Sequence, residues 1–236
     1  MKEIRECGFR WNALQMQRDQ ARQDTDYTVN RLPQGSQVLA IAEGSGVNGD
    51  WASKVAVTRI VRQVEAYCHL KPGMELMTRA AWVSGLCACE EFVRELPEVP
   101  LMFLPHWTLI AAHVDESGRA SIAGFGDSKI WHLTQEGLHP LLAKRLPVFD
   151  GVGRTRYAEH FEKRLETESI ALQPGERLIL ATRGIETVRP AKRATILTQP
   201  LDQALESLLA AIRIAKKRRQ DNVTVVILEY LGAGSP

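Results

Sequence analysis

The sequence predicts an α+β protein in which helices pack on the outside of antiparallel sheets. Closely spaced apolar runs of strand length lie between Thr108 and Leu142 and between Leu165 and Thr182. They leave no room for the helical crossovers that parallel strands need. Three longer stretches, from Asp50 to about His69, from about Met74 to Glu95, and from Leu201 to Arg218, carry apolar residues at helical spacing. A third observation concerns where the apolar runs end. Leu178–Ala181 runs into Thr182-Arg183-Gly184, Val38–Ala42 runs into Glu43-Gly44, and Asp221-Asn222 immediately precedes Val223–Leu228. If these strands are neighbours, their polar ends converge.

In chain order, a first strand is read over Phe9–Met16, within a mixed segment that reaches Val29 and contains the acidic patch Asp24-Thr25-Asp26. A turn at Pro33-Gln34-Gly35 leads into a strand over Gln37–Ala42. The Gly-rich stretch Ser45–Asp50 opens the first helix, with Asp50 favoured at its positive end. That stretch lacks Gly-Lys-Ser/Thr, which excludes a nucleotide loop of the P-loop type. Lys71-Pro72-Gly73 stops the first helix, and Pro97, Pro100 and Pro105 mark an extended connection after the second. Strands over Thr108–Val114, Arg119–Ala123, Lys129–Leu133 and Leu138–Leu142 read as an antiparallel meander. The segment from Ala143 to Glu162 reads as a loop over one end of the sheet. Leu165–Leu172 and Arg177–Thr182, joined through Gln173-Pro174-Gly175, read as a further hairpin.

Composition narrows the function classes. With 236 residues and 44% hydrophobic residues, the chain can fill one substantial core and is read as a single domain over 1–236. The formal charge of +2 offers no bulk field for nucleic acid or an anionic membrane. Lys216-Lys217-Arg218-Arg219 suits the negative end of the last helix. No apolar stretch has the length of a signal peptide or a membrane span, so a cytoplasmic location is expected. Cys7, Cys68, Cys87 and Cys89 follow neither a disulfide framework nor a zinc pattern and are read as free thiols. His106, His113, His132, His139 and His160 have no nucleophile or acid at triad spacing. Trp51, Trp82, Trp107 and Trp131 are expected to pack between helices and sheets.

A carboxylate followed by glycine, as in Glu43-Gly44, offers a hard oxygen and an unhindered carbonyl, donors that suit magnesium or manganese. Together the polar ends resemble motifs of the metal-dependent PP2C (PPM-type) protein phosphatases, in that family's order and over nearly the whole chain. Ala40-Ile41-Ala42-Glu43-Gly44-Ser45-Gly46 is similar to the Val-Ala-Asp-Gly-Met-Gly-Gly element. Gly126-Asp127-Ser128-Lys129 resembles the Gly-Asp-Ser-Arg turn. Pro174-Gly175-Glu176 through Thr182-Arg183-Gly184 resembles the Pro-Gly-Asp element that leads into Ser-Asp-Gly, and Asp221-Asn222-Val223-Thr224 matches the closing motif.

The resemblance implies an αββα sandwich with a two-metal site at one end of its sheets, hydrolysing phosphoserine or phosphothreonine proteins with magnesium or manganese. By the same resemblance, Asp26 matches the first-strand aspartate, Glu43 the bridging aspartate, Gly44 the carbonyl ligand, Asp221 the late aspartate, and Asp127 the residue supporting an additional metal. The phosphate-binding arginine falls on Ala21, with Arg22 one residue along and Arg18 three earlier. Arg183 stands where Ser-Asp-Gly has its aspartate. A guanidinium only donates hydrogen bonds and keeps its charge, so it cannot serve as a metal ligand. The expectation is therefore a phosphoprotein-binding or signalling homologue of bacterial type with an impaired metal centre, a pseudophosphatase. The alternative is an active phosphatase working with fewer or displaced metals. The partner expected is a phosphoprotein or other signalling protein, with no nucleic acid and no membrane.

Overall fold

Period-two alternation in the apolar runs gives each strand two faces, and the two faces bury against different layers. The computed structural model describes residues 4–6, 8–16, 25–33, 35–45, 49–70, 76–94, 106–142, 162–215 and 222–233. Its strands are β1 (Ile4–Glu6), β2 (Phe9–Met16), β3 (Thr25–Arg31), β4 (Gln37–Ser45), β5 (His106–Val114), β6 (Arg119–Phe125), β7 (Lys129–Thr134), β8 (Gly137–Leu141), β9 (Glu166–Ala171), β10 (Arg177–Ala181) and β11 (Val223–Tyr230). The principal helices are α1 (Gly49–Leu70), α2 (Arg79–Arg94), α3 (Pro190–Leu197) and α4 (Leu201–Ala215), and a 3-10 turn spans Arg183–Thr187.

A six-stranded sheet runs β1-β2-β11-β10-β7-β8 and a five-stranded sheet runs β3-β4-β5-β6-β9. Every pairing is antiparallel. The α+β class and the αββα sandwich are what the structure shows. Leu39, Ile41, Ile110, Ile122, Leu178, Leu180, Val226 and Leu228 fill the space between the sheets. On the outer face of the five-stranded sheet, Val38, Ala40 and Ala42 meet Ala56, Ile60 and Val64 of α1 and Trp82 and Leu86 of α2. On the outer face of the other, Ile179, Ala181, Val223 and Val225 meet Leu197 of α3 and Leu201, Leu205, Leu208 and Ile212 of α4. Strands β10 and β11 are buried on both faces, which is why they read as unbroken apolar runs.

Two expected connections differ. Strand β9 pairs with β6, whereas β10 lies between β11 and β7 in the opposite sheet, so Leu165–Leu172 and Arg177–Thr182 are not a hairpin. Likewise β5 and β6 belong to one sheet and β7 and β8 to the other, so the expected meander is two hairpins. Gly126-Asp127-Ser128 and Gln173-Pro174-Gly175 are corners that carry the chain across the sandwich. A tight turn reads alike in both cases, because sequence-local turn chemistry does not specify which sheet the next strand joins.

Other differences are local. Residues 25–31, which begin inside the segment of mixed pattern and run two residues past it, form the edge strand β3. Strand β4 continues through Glu43-Gly44 to Ser45, so these two residues lie inside the strand. Helix α2 starts at Arg79, and Leu76–Thr78 before it is not helical. Helix α3 was not anticipated; its Pro190 at the start is a helix-initiating residue. Of the loop expected over Ala143–Glu162, residues 143–161 lie outside the described residues, as does the basic stretch 216–219, while Glu162 opens a short helical turn over 162–164. Trp82, Trp107 and Trp131 are buried in the helix–sheet layers, and Trp51 is partly buried against the layer that holds Trp82 and Trp107.

Candidate functional site

The polar ends of the apolar runs meet at one end of the sandwich, through contacts that can be followed as a ring. Antiparallel pairing of β10 with β11 brings Thr182 to Thr224, whose carbonyl accepts from the Thr182 amide at 3.0 Å and whose amide donates to Thr182 Oγ1 at 3.0 Å. Thr182 Oγ1 donates to the Asn222 carbonyl at 3.1 Å. The next corner residue but one, Gly184, lies so close that a Cβ there would sit 2.4 Å from that same carbonyl oxygen. The corner bearing Arg183 is thereby pressed onto the start of β11.

From β11 the ring crosses to the other sheet. Thr224 Oγ1 donates to Thr25 Oγ1 at 2.9 Å, and Gln15 Nε2 donates to the Thr25 carbonyl at 2.8 Å. Thr25 stands opposite Glu43, and Glu43 stands opposite Thr108 on its other side. The Thr108 side chain packs on Gly126, which has φ +115° and whose added Cβ would lie 2.4 Å from Thr108 Cγ2. Only glycine fits both that backbone and that contact. Asp127 follows, and its Oδ2 lies 3.3 Å from Arg183 Nη1, which closes the ring. The Asp127 side chain is 12% exposed and that of Arg183 41%.

Strand alternation decides which carboxylates share this rim. Leu39 and Ile41 of β4 point between the sheets and Ala40 and Ala42 point at α1, so Glu43 faces between the sheets. On β3, Thr25 reaches across to Thr224, and Tyr27 and Val29 pack in the inter-sheet core. Asp26 is opposite Ala42 and leaves the strand on the helix side. The structure thus brings Glu43, Asp127 and Arg183 to one rim and directs Asp26 to the other face of its sheet. Burial raises the pKa of Asp26, an effect opposed in part by the Tyr27 amide, which donates to Oδ1 at 2.9 Å, and by the charge of Lys54 on α1. Gly44 packs against the first residue of α1; a Cβ on it would meet the Gly49 carbonyl oxygen at 1.9 Å. Arg22 and Asp221 lie outside the described residues, as do Ala21 and Arg18.

Several solved structures share this backbone arrangement. A serine/threonine phosphatase of S. agalactiae aligns over 94% of this chain and 99% of its own with a TM-score of 0.77 at 17% identity. The catalytic domain of the serine/threonine protein phosphatase PstP, solved with two manganese ions, aligns over 94% and 98% with a TM-score of 0.70 at 20% identity. The chain has the PP2C-type phosphatase fold. RsbX, solved with magnesium, shares it at 11% identity, with a TM-score of 0.67 over 97% of this chain and 98% of that one. No family model matches the sequence, and neither does any curated protein.

On this PP2C-like scaffold, the described residues do not form the donor set of a two-cation centre. Among them no group of three or more His, Cys, Asp or Glu is disposed to hold a metal. Glu43 and Asp127 supply oxygens on the rim, but Asp26 is turned away and Arg183 brings a fixed positive charge paired to Asp127. A divalent cation beside that guanidinium would be repelled, and it would compete with Arg183 for Asp127 Oδ2.

The hydroxyl chain of Thr182, Thr224 and Thr25 was not anticipated from the sequence. Each is at most 2% exposed. A signal was present, because Thr224 interrupts an apolar run and Thr182 ends one, each with a group that must find a hydrogen bond when buried.

Proposed function

We propose that this PP2C-like domain is a pseudophosphatase, which binds a phosphoserine- or phosphothreonine-bearing signalling protein and hydrolyses it weakly or not at all. The observation that carries the reading is the Arg183–Asp127 pair on the rim where Glu43 lies. There a guanidinium supplies positive charge and fixed donors, which suit a phosphate group. It cannot lower the pKa of a bound water as paired cations do. On this reading Arg22 is a further phosphate contact, and Asp26, Glu43, Gly44, Asp127 and Asp221 are remnants of a magnesium or manganese site. No described helix is long and apolar enough to cross a membrane, which is compatible with a cytoplasmic signalling role of bacterial type.

A second reading is favoured by the 41% exposure of Arg183. A side chain this open can swing off Asp127, leaving Glu43 and Asp127 to hold magnesium or manganese and support slow hydrolysis. One experiment separates the two. With manganese present, the protein is expected to hold a phosphothreonine peptide more tightly than its unphosphorylated form, while releasing no phosphate above a heat-denatured control. Sustained, manganese-dependent release overturns the pseudophosphatase reading, and equal affinity for both peptides overturns phosphoprotein binding.

A further inference from the structure

Next to the rim, on the outer face of the six-stranded sheet, positive charge accumulates beyond what the fold requires. Lys129 and Trp131 lie on the helix-facing side of β7, opposite Ala181 and Ile179. The Arg193 guanidinium stacks over the Trp131 ring at 4.9 Å, and its Nε is buried without a hydrogen-bond partner. Arg189 and Lys192 are exposed, and neither forms an ion pair among the described residues. Arg183, three residues before Glu186, joins this group to the rim.

Five cations therefore share the corner with Glu186 and Asp127, while the whole chain carries only +2. Glu186 is already engaged at 3.7 Å by Lys129. Burial lowers the pKa of Arg193, and the nearby Glu186 only partly offsets it. Arg189, Lys192 and Arg193 also occupy the positive end of α3, whose first turn holds no acidic residue. Cations at that end are unfavourable, so the arrangement costs stability in the free protein. An incoming chain of carboxylates would relieve both the mutual repulsion and the helix-end penalty.

We infer that the corner formed by Lys129, Arg189, Lys192 and Arg193 is a docking surface for an acidic peptide segment of a protein partner. It extends the proposed phosphoprotein site and rests on that reading for the partner's identity. The Trp131 shelf fixes the position of the Arg193 guanidinium, whose planar fork suits bidentate carboxylate contacts. The patch spans a few residues beside a rim suited to a single phosphate, which fits a peptide flank better than a membrane plane or a nucleic-acid backbone.

The test uses the full chain and two labelled peptides, one of consecutive glutamates and one of glutamines, with binding followed by fluorescence anisotropy. Glutamate peptide binding is expected to weaken about tenfold in Arg189→Glu/Lys192→Glu and to weaken with added salt, while the glutamine peptide binds at neither salt level. Circular dichroism checks that the variant folds, and Arg189→Gln/Lys192→Gln should give the same direction with a smaller change. Equal affinity for the two peptides, or an unchanged glutamate affinity in both folded variants, overturns the proposal. So does tighter binding of anionic vesicles or duplex DNA through the same residues. Phosphothreonine peptides with glutamate or glutamine flanks keep the two readings apart. A flank effect without a phosphate effect upholds the surface and sinks the phosphoprotein reading; a phosphate effect without a flank effect does the reverse.

Discussion

Replacing Arg183 tests the central claim most directly. The guanidinium lies 3.3 Å from Asp127. Two unit charges at that distance interact by about 5 kcal/mol at an effective dielectric near 20. With 41% of the Arg183 side chain exposed, solvent screening cuts this to about 1 kcal/mol or less of stability. The effect on a divalent cation is larger, because its charge is double. Taking a separation of about 4 Å, repulsion would be about 8 kcal/mol at a dielectric near 20 and about 2 kcal/mol in the fully screened limit. The exposed position argues for the screened value. Arg183→Gln should therefore tighten manganese binding by about thirtyfold, and Arg183→Asp, which adds attraction of the same size, by about a thousandfold. Isothermal titration calorimetry measures both, with thermal unfolding as the control for the small stability change. Tight manganese binding with phosphopeptide turnover by the unmodified protein, or an affinity that neither substitution changes, would show that Arg183 does not exclude the cation.

Other expectations follow from the ring and the core. Thr224→Val keeps shape but removes the donor to Thr25, and urea unfolding should show a loss of about 1 kcal/mol; the double variant with Thr25→Val should lose less than the sum of the two singles. Gly44→Ala drives a Cβ into the Gly49 carbonyl, so it should cost about 1–3 kcal/mol and shift the start of α1, visible as a lowered melting temperature. His113 is 1% exposed, with Nε2 3.0 Å from Ser36 Oγ, and burial holds its pKa down to about 4. Because the folded pKa lies below the unfolded value, the unfolded chain takes up the proton first as pH falls. This contribution is neutral above about pH 6.5 and costs about 2 kcal/mol by about pH 5, approaching 3 kcal/mol near pH 4. Urea midpoints across that range should flatten in His113→Gln.

Much of the scaffold was legible because local chemistry dictates it. Helix α1 follows from its apolar spacing between Asp50 and Lys71-Pro72-Gly73, and β10 from Leu178–Ala181 followed by a polar corner. The failures share one cause. Gln173-Pro174-Gly175 and Gly126-Asp127-Ser128 are good turns whichever sheet the next strand joins, and that choice depends on partners far away in the chain. Asp26 and Glu43 were read as companions because the family resemblance assigns both to one metal site. Their faces depend on register, where a one-residue offset sends a side chain to the opposite side.

What the sequence by itself determined is the identity of the groups at the polar ends: an arginine after Thr182, a glutamate before Gly44, an asparagine leading into β11. Covalent order and side-chain chemistry suffice for that, and Arg183 cannot be a metal ligand in any fold. Only the tertiary structure decided that Arg183 pairs with Asp127, that threonine hydroxyls bridge the sheets beneath the rim, and that Asp26 faces α1. Each is a contact between residues far apart in the chain, settled by how two twisted sheets and their helices bury apolar faces together, a property no single stretch of sequence carries.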